Sequence, residues 1–163
     1  MTTLYQISNS TTLTPTITNA SLIAAAARQS TPVDFGTPRT PNWDVRCNAI
    51  MNTAPTAGQT LDVYVAWSSG TGAGIWGGNL GITDSAYTGY GSVANSVGQL
   101  DFVGSLVLSN NATPSGQISD IGVITPKLQY GIFVLHNNSS ANLSADTSNN
   151  NNIVCIPIVD AGV

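Results

Sequence analysis

The chain has 163 residues, enough for a single domain that hides roughly 70% of the surface its unfolded form would expose, so a core can form without a metal or disulfide staple. Only 7% of the residues are charged, against about 25% in an ordinary soluble domain. The net charge of −4, with four cations against eight Asp, offers no basic stripe for phosphates, which disfavours nucleic acid and anionic membrane surfaces as partners.

Ser, Thr and Asn together number 52, and their short polar side chains compete with helical backbone hydrogen bonds while Thr suits a pleated surface. The composition therefore favours strands and turns. Apolar residues make up 42%, too many for a disordered chain. A surface this poor in charge is weakly protected against association, and much of it is expected to meet other protein.

Residues 1–40 read as an N-terminal arm with the first strands, and 41–163 as a β-sandwich domain. The start carries no basic region before an apolar run, and Leu22 to Ala27 is too short to span a membrane, so the chain is expected to be made in the cytoplasm and left unprocessed. Tyr5 to Ser8 and Leu13 to Thr18 are candidate short strands, the second confined to an edge by Pro15. Ser21 before Leu-Ile-Ala-Ala-Ala-Ala is the one plausible helix start; the alternative is an extended arm. Pro32, Gly36, Pro38 and Pro41 then mark a turn-rich connection.

From Asn42 the period is two: Trp43, Val45, Cys47, Ala49 and Met51 share a face opposite Asp44, Arg46 and Asn48. Leu61, Val63, Val65 and Trp67 repeat the pattern after a turn at Pro55 to Gly58, and the two runs resemble a hairpin. A Gly-rich excursion from Ser68 to Gln99 follows, of a length that is usually functional. Later strands are expected at Leu100 to Ser109, Gln117 to Thr125, Tyr130 to His136 and Asn152 to Val159. The whole reads as all-β, an antiparallel sandwich or jelly roll.

No catalytic, cofactor or metal site stands out. Gly72, Gly74 and Gly77 spell a dinucleotide fingerprint, but Gly78 and Asn79 follow where a helix should begin. His136 is the lone histidine, at a strand end, where a structural role explains it. The Asp residues are dispersed; Asp84 and Asp146 are the loop carboxylates a calcium ion would use. Cys47 and Cys155 read as buried thiols, able to pair only if their strands are neighbours. Six N-x-S/T sequons, at Asn9, Asn19, Asn111, Asn137, Asn138 and Asn142, follow from composition alone. Trp76, Tyr87 and Tyr90, set among Gly and Ser, are the candidate ligand or partner contacts: either they display a stacking surface for a glycan or a protein, or they fold back over the end of the sandwich.

Three stretches carry a family likeness. Pro55-Thr56-Ala57-Gly58-Gln59-Thr60-Leu61-Asp62-Val63-Tyr64-Val65 resembles the P-x-A-G turn and D-V-Y strand of small virion structural proteins of tailed bacteriophages. Phe102-Val103-Gly104-Ser105-Leu106 is similar to their next shared strand. Tyr130-Gly131-Ile132-Phe133-Val134-Leu135, running into the Asn-rich stretch from Asn137 to Ala145, is similar to their late strand and turn.

The resemblance spans about residues 42 to 159, and it is the order of the motifs that gives it force. It implies a jelly-roll-like sandwich on the capsid exterior: a decoration or cement protein, often a homotrimer, whose partners are the major capsid protein and copies of itself, with no catalytic residue and no cofactor. The long 68–99 loop departs from the simpler pattern. The rival expectation is a carbohydrate- or receptor-binding module of a tail or fibre, with the three aromatics stacking on sugar rings.

Overall fold

A computed structural model describes residues 11–36, 42–110, 116–145 and 151–158. The chain is all-β: two antiparallel sheets face each other across a core. In chain order the strands are β1 (Ala27–Gln29), β2 (Val33–Asp34), β3 (Asn42–Ala49), β4 (Thr60–Ser68), β5 (Ser85–Tyr87), β6 (Asp101–Val107), β7 (Gln117–Ile124), β8 (Tyr130–Asn138) and β9 (Asn152–Ile158). The larger sheet runs β5-β1-β8-β4-β6, with β2 also on β8, and the smaller runs β7-β3-β9.

The period-two reading of β3 holds: Trp43, Val45, Cys47 and Ala49 are fully buried while Asp44, Arg46 and Asn48 are not. These residues meet Leu61, Val63 and Val65 of β4 and Phe133 and Leu135 of β8 in the inter-sheet core. Phe35 fills its centre, edge-on to Trp43 with ring centroids 5.4 Å apart. The hairpin expected between β3 and β4 does not form, because the two strands belong to different sheets. Alternation reports which face of a strand is buried and carries no information about its neighbours.

The helix expected after Ser21 is also absent. Ser21 and Ala25 take positive φ values of 58° and 59°, which break any helix, and Ala27 begins β1. Six helix formers are too few to sustain a helix alone, and packing decides instead. The buried Asn137 amide donates to the carbonyls of Leu22 (3.2 Å), Ile23 (3.2 Å) and Ala141 (2.9 Å), fixing this segment to the end of β8. Leu13 exchanges backbone hydrogen bonds with Cys155 of β9, so residues 11–36 lie on the chain's own sandwich. The candidate strand at Leu13 to Thr18 is reduced to that single bridge, and Tyr5 to Ser8 lies outside the described residues.

One corner of the sandwich is closed by glycine. The edge strands β6 and β7 pass so closely that a Cβ on Gly104 would sit 1.9 Å from the Ile121 carbonyl oxygen, and one on Gly122 would sit 2.4 Å from that of Val103. Both strands slip register at this point, β6 against β4 between Val63 and Tyr64 and β7 against β3 between Val45 and Arg46. Such bulges bend a strand and turn its carbonyls aside, and here they let two sheets meet backbone to backbone.

Candidate functional site

The residues singled out in the long loop do not form a displayed platform. The segment between β4 and β6 folds back across the outer face of the larger sheet and builds a second core there. Trp76, Leu80, Tyr87 and Leu100 pack on Ala66, Ile132 and Val134, with Ala27 beside them. Trp76 is 6% exposed and its indole N–H donates to the Gly72 carbonyl at 3.0 Å. Tyr87 is 2% exposed and its hydroxyl donates to the Gly78 carbonyl at 2.8 Å. Gly78 has φ +68°, and a Cβ there would meet the Leu100 side chain at 2.7 Å and the Tyr87 hydroxyl at 2.9 Å, so that glycine is required by the packing itself.

Of the three aromatics only Tyr90 reaches solvent, at 65% exposure, near a turn where the Ser96 hydroxyl accepts its backbone N–H at 2.8 Å. The loop contains one short helix, α1 (Val93–Ser96), and two 3₁₀ turns. The G-x-G-x-x-G glycines lie ahead of the first 3₁₀ turn, Gly77–Asn79, or at its start, and no α-helix begins there.

An ion pair ties this layer down. Asp84 accepts from the Arg28 guanidinium on β1 and from the Thr18 backbone N–H (2.9 Å) and hydroxyl. Burial alone would raise the Asp84 pKa, but the hydrogen bonds from Arg28 and Thr18 outweigh it and hold the carboxyl below the usual range. Asp84 is thus committed to protein donors, Asp146 lies outside the described residues, and no cluster of metal-binding side chains occurs among the described residues.

His136 stands on the outer face of the larger sheet, opposite Asp62 of β4 and Ala27 of β1. Burial lowers its pKa, and the nearby Asp62 carboxylate works in the opposite direction. The Ser105 hydroxyl donates to Asp62 at 2.6 Å and the Asn138 amide does so at 3.3 Å. Serine, carboxylate and imidazole are therefore neighbours, but the hydroxyl is bonded to the carboxylate, so this is not the geometry that activates a nucleophile. No signal in the sequence pointed to this grouping, because it depends on the register of three strands.

Cys47 and Cys155 do lie on neighbouring strands, β3 and β9, yet both are free and buried. Burial pushes each thiol up to about 12, which keeps it protonated and unreactive.

The largest apolar exposure lies elsewhere, along the β6–β7 corner. Val107 is 62% exposed, and Phe102, Ile118 and Val123 are each 59% exposed. All four lie on the outward faces of their strands. Phe102 and Val123 line one side of an open groove of about 340 Å³, which Trp67 and the Lys127–Asp101 ion pair complete. Among the described residues no helix is long and apolar enough to cross a membrane. No protein-family profile matches the sequence, and neither the curated proteins nor the solved structures contain a significant match.

Proposed function

We propose that this chain is a decoration (cement) protein of a tailed-phage head, binding the capsid exterior and stabilising the shell by contact with the major capsid protein and with copies of itself. The observation that carries this reading is that the three stretches resembling phage virion proteins fall on β4, β6 and β8, which lie side by side as β8-β4-β6 in the larger sheet. A likeness assembled from unrelated fragments would have no reason to coincide with one contiguous block of the fold.

The low charge supports the same reading. With 7% charged residues the surface has little to keep copies and partners apart, which is a liability for a free monomer and suits a protein that works within a lattice. Many equivalent contacts around a shell multiply a modest individual affinity. The competing glycan-binding module would have to rely on Tyr90, because Trp76 and Tyr87 are built into the second core.

The test is co-sedimentation with undecorated capsids, followed by electron microscopy of virions carrying labelled protein. The expected result is saturable pelleting and label over the head. Protein that stays in the supernatant at tens of micromolar, or label confined to the tail, overturns the proposal.

A further inference from the structure

The carboxylate of Asp62, on the outer face of the larger sheet, makes no ion pair among the described residues, and we infer that Asp62, Tyr64 and Phe102 form a socket for an arginine side chain of the partner protein. That the partner is the major capsid protein rests on the shell reading; the socket stands without it.

Leu61, Val63 and Val65 of β4 point into the inter-sheet core, so the alternate residues Asp62 and Tyr64 point outward. Asp62 lies opposite Ser105 of β6 and His136 of β8, and Tyr64 lies opposite Phe102. The Tyr64 and Phe102 rings meet at a tilt of 58° with centroids 5.3 Å apart. Tyr64 packs against the second core and so stands at the border of the covering loop, whereas Phe102 is 59% exposed. Ser105 is half-buried and Asn138 exposed, so the covering layer ends beside the carboxylate.

Asp62 itself is 9% exposed, and its hydrogen-bond donors are neutral: the Ser105 hydroxyl on Oδ1 (2.6 Å) and the Asn138 amide on Oδ2 (3.3 Å). An asparagine or threonine at this position could link the same strands without burying a charge, so the fold makes no use of the charge itself. The described cations are already committed, Arg28 to Asp84, Arg46 to Asp120 and Lys127 to Asp101. Burial holds the His136 pKa below its ordinary value, so the imidazole is neutral at neutral pH and leaves Asp62 uncompensated.

The missing cation must come from outside, and the geometry selects its kind. Each Asp62 oxygen accepts one bond and keeps a second lone pair. The planar fork of a guanidinium reaches both oxygens at once and offers its faces to aromatic rings. A cation is drawn to a ring centroid within about 6 Å, and Tyr64 follows Asp62 by two residues, about 7 Å along the strand. A lysine ammonium is a compact point charge that cannot match the two oxygens as a fork does. A metal ion would need further charged ligands, and no such group occurs among the described residues. The chain's net charge of −4 draws a basic surface toward it.

The experiment has two arms. In an NMR titration of the full chain at neutral pH, N-acetyl-arginine amide should saturably shift the resonances of Asp62, Tyr64, Phe102 and Ser105, and the neutral isostere N-acetyl-citrulline amide should not. Asp62→Asn, which keeps the shape and an acceptor for Ser105, should weaken binding at least tenfold with near-ultraviolet circular dichroism unchanged. Phe102→Ala, at an exposed site, should weaken it severalfold, and Tyr90→Ala, an exposed aromatic elsewhere, should leave it unaltered. Equal shifts from the citrulline or lysine amide, or binding indifferent to both Asp62→Asn and Phe102→Ala, would overturn the inference. In the second arm, pelleting with undecorated capsids should weaken at least tenfold in Asp62→Asn. Wild type and variant that pellet equally would overturn the inference while leaving the shell reading intact. Wild type that stays in the supernatant yet binds the arginine amide through Asp62 would overturn the shell reading and support the socket.

Discussion

Replacing Gly104 by Ala is the sharpest test of how the two sheets are joined. The added methyl would lie 1.9 Å from the carbonyl oxygen and 2.7 Å from the carbonyl carbon of Ile121. Both are backbone atoms of a strand already hydrogen-bonded to β3, so no side chain can swing away. Relief requires β6 and β7 to part by about an ångström, a displacement that would be transmitted to Leu106 and Ile121 beside the inter-sheet core. Overpacking typically costs about 1–3 kcal/mol, and rigidity on both sides places this case near the top, about 3 kcal/mol. For a domain of this size that lowers the melting temperature by roughly 6–12 °C. The assay is thermal and urea unfolding against Gly72→Ala, where a Cβ has nothing within 4 Å and the change is expected within about 0.5 kcal/mol. If Gly104→Ala and Gly72→Ala unfold together, the corner is not the tight junction described.

Asp84→Asn should destabilise the fold by about 1–3 kcal/mol by weakening the bonds from Arg28 and Thr18. Because the folded pKa of Asp84 lies below its unfolded value, the carboxylate contributes its full stability above the ordinary carboxylate range and loses it as pH falls through the lowered folded value. The variant should therefore show a flatter melting temperature between pH 5 and pH 2, and an unchanged acid slope would contradict the pairing. Trp76→Ala should cost about 3–5 kcal/mol by opening the second core, whereas Tyr90→Ala should move stability by less than about 0.5 kcal/mol. Equal effects in a denaturant titration would mean that the loop does not pack as described.

The inward faces of β3 and β4 were legible because Trp43 to Ala49 and Leu61 to Val65 alternate cleanly. Their assignment to separate sheets was not, since the residues between them do not reveal whether the chain turns back or crosses over. The second core has a sign in the sequence: Ile132-Phe133-Val134-Leu135 is apolar without alternation, the mark of a strand covered on both faces. Something therefore had to lie over the outer face of the larger sheet, and the loop carrying Trp76 and Tyr87 was the available segment. The exposed corner was harder to read, because Phe102, Val107, Ile118 and Val123 are as apolar as the residues turned inward on the same strands, such as Leu106 and Ile124, and only the register tells them apart.

The layer formed by the 68–99 loop also limits how far the sequence can be shortened. Ile132, Val134 and Ala66 face outward beneath it, so a protein of this architecture with a tight β4–β6 connection would leave those positions wet. Loop length and the polarity of three distant strand positions must then change together. In other sequences that share the D-V-Y strand, hydrophilic residues at the counterparts of 66, 132 and 134 would signal a bare sheet, and aliphatic ones would signal a covering lobe, before any coordinates are known.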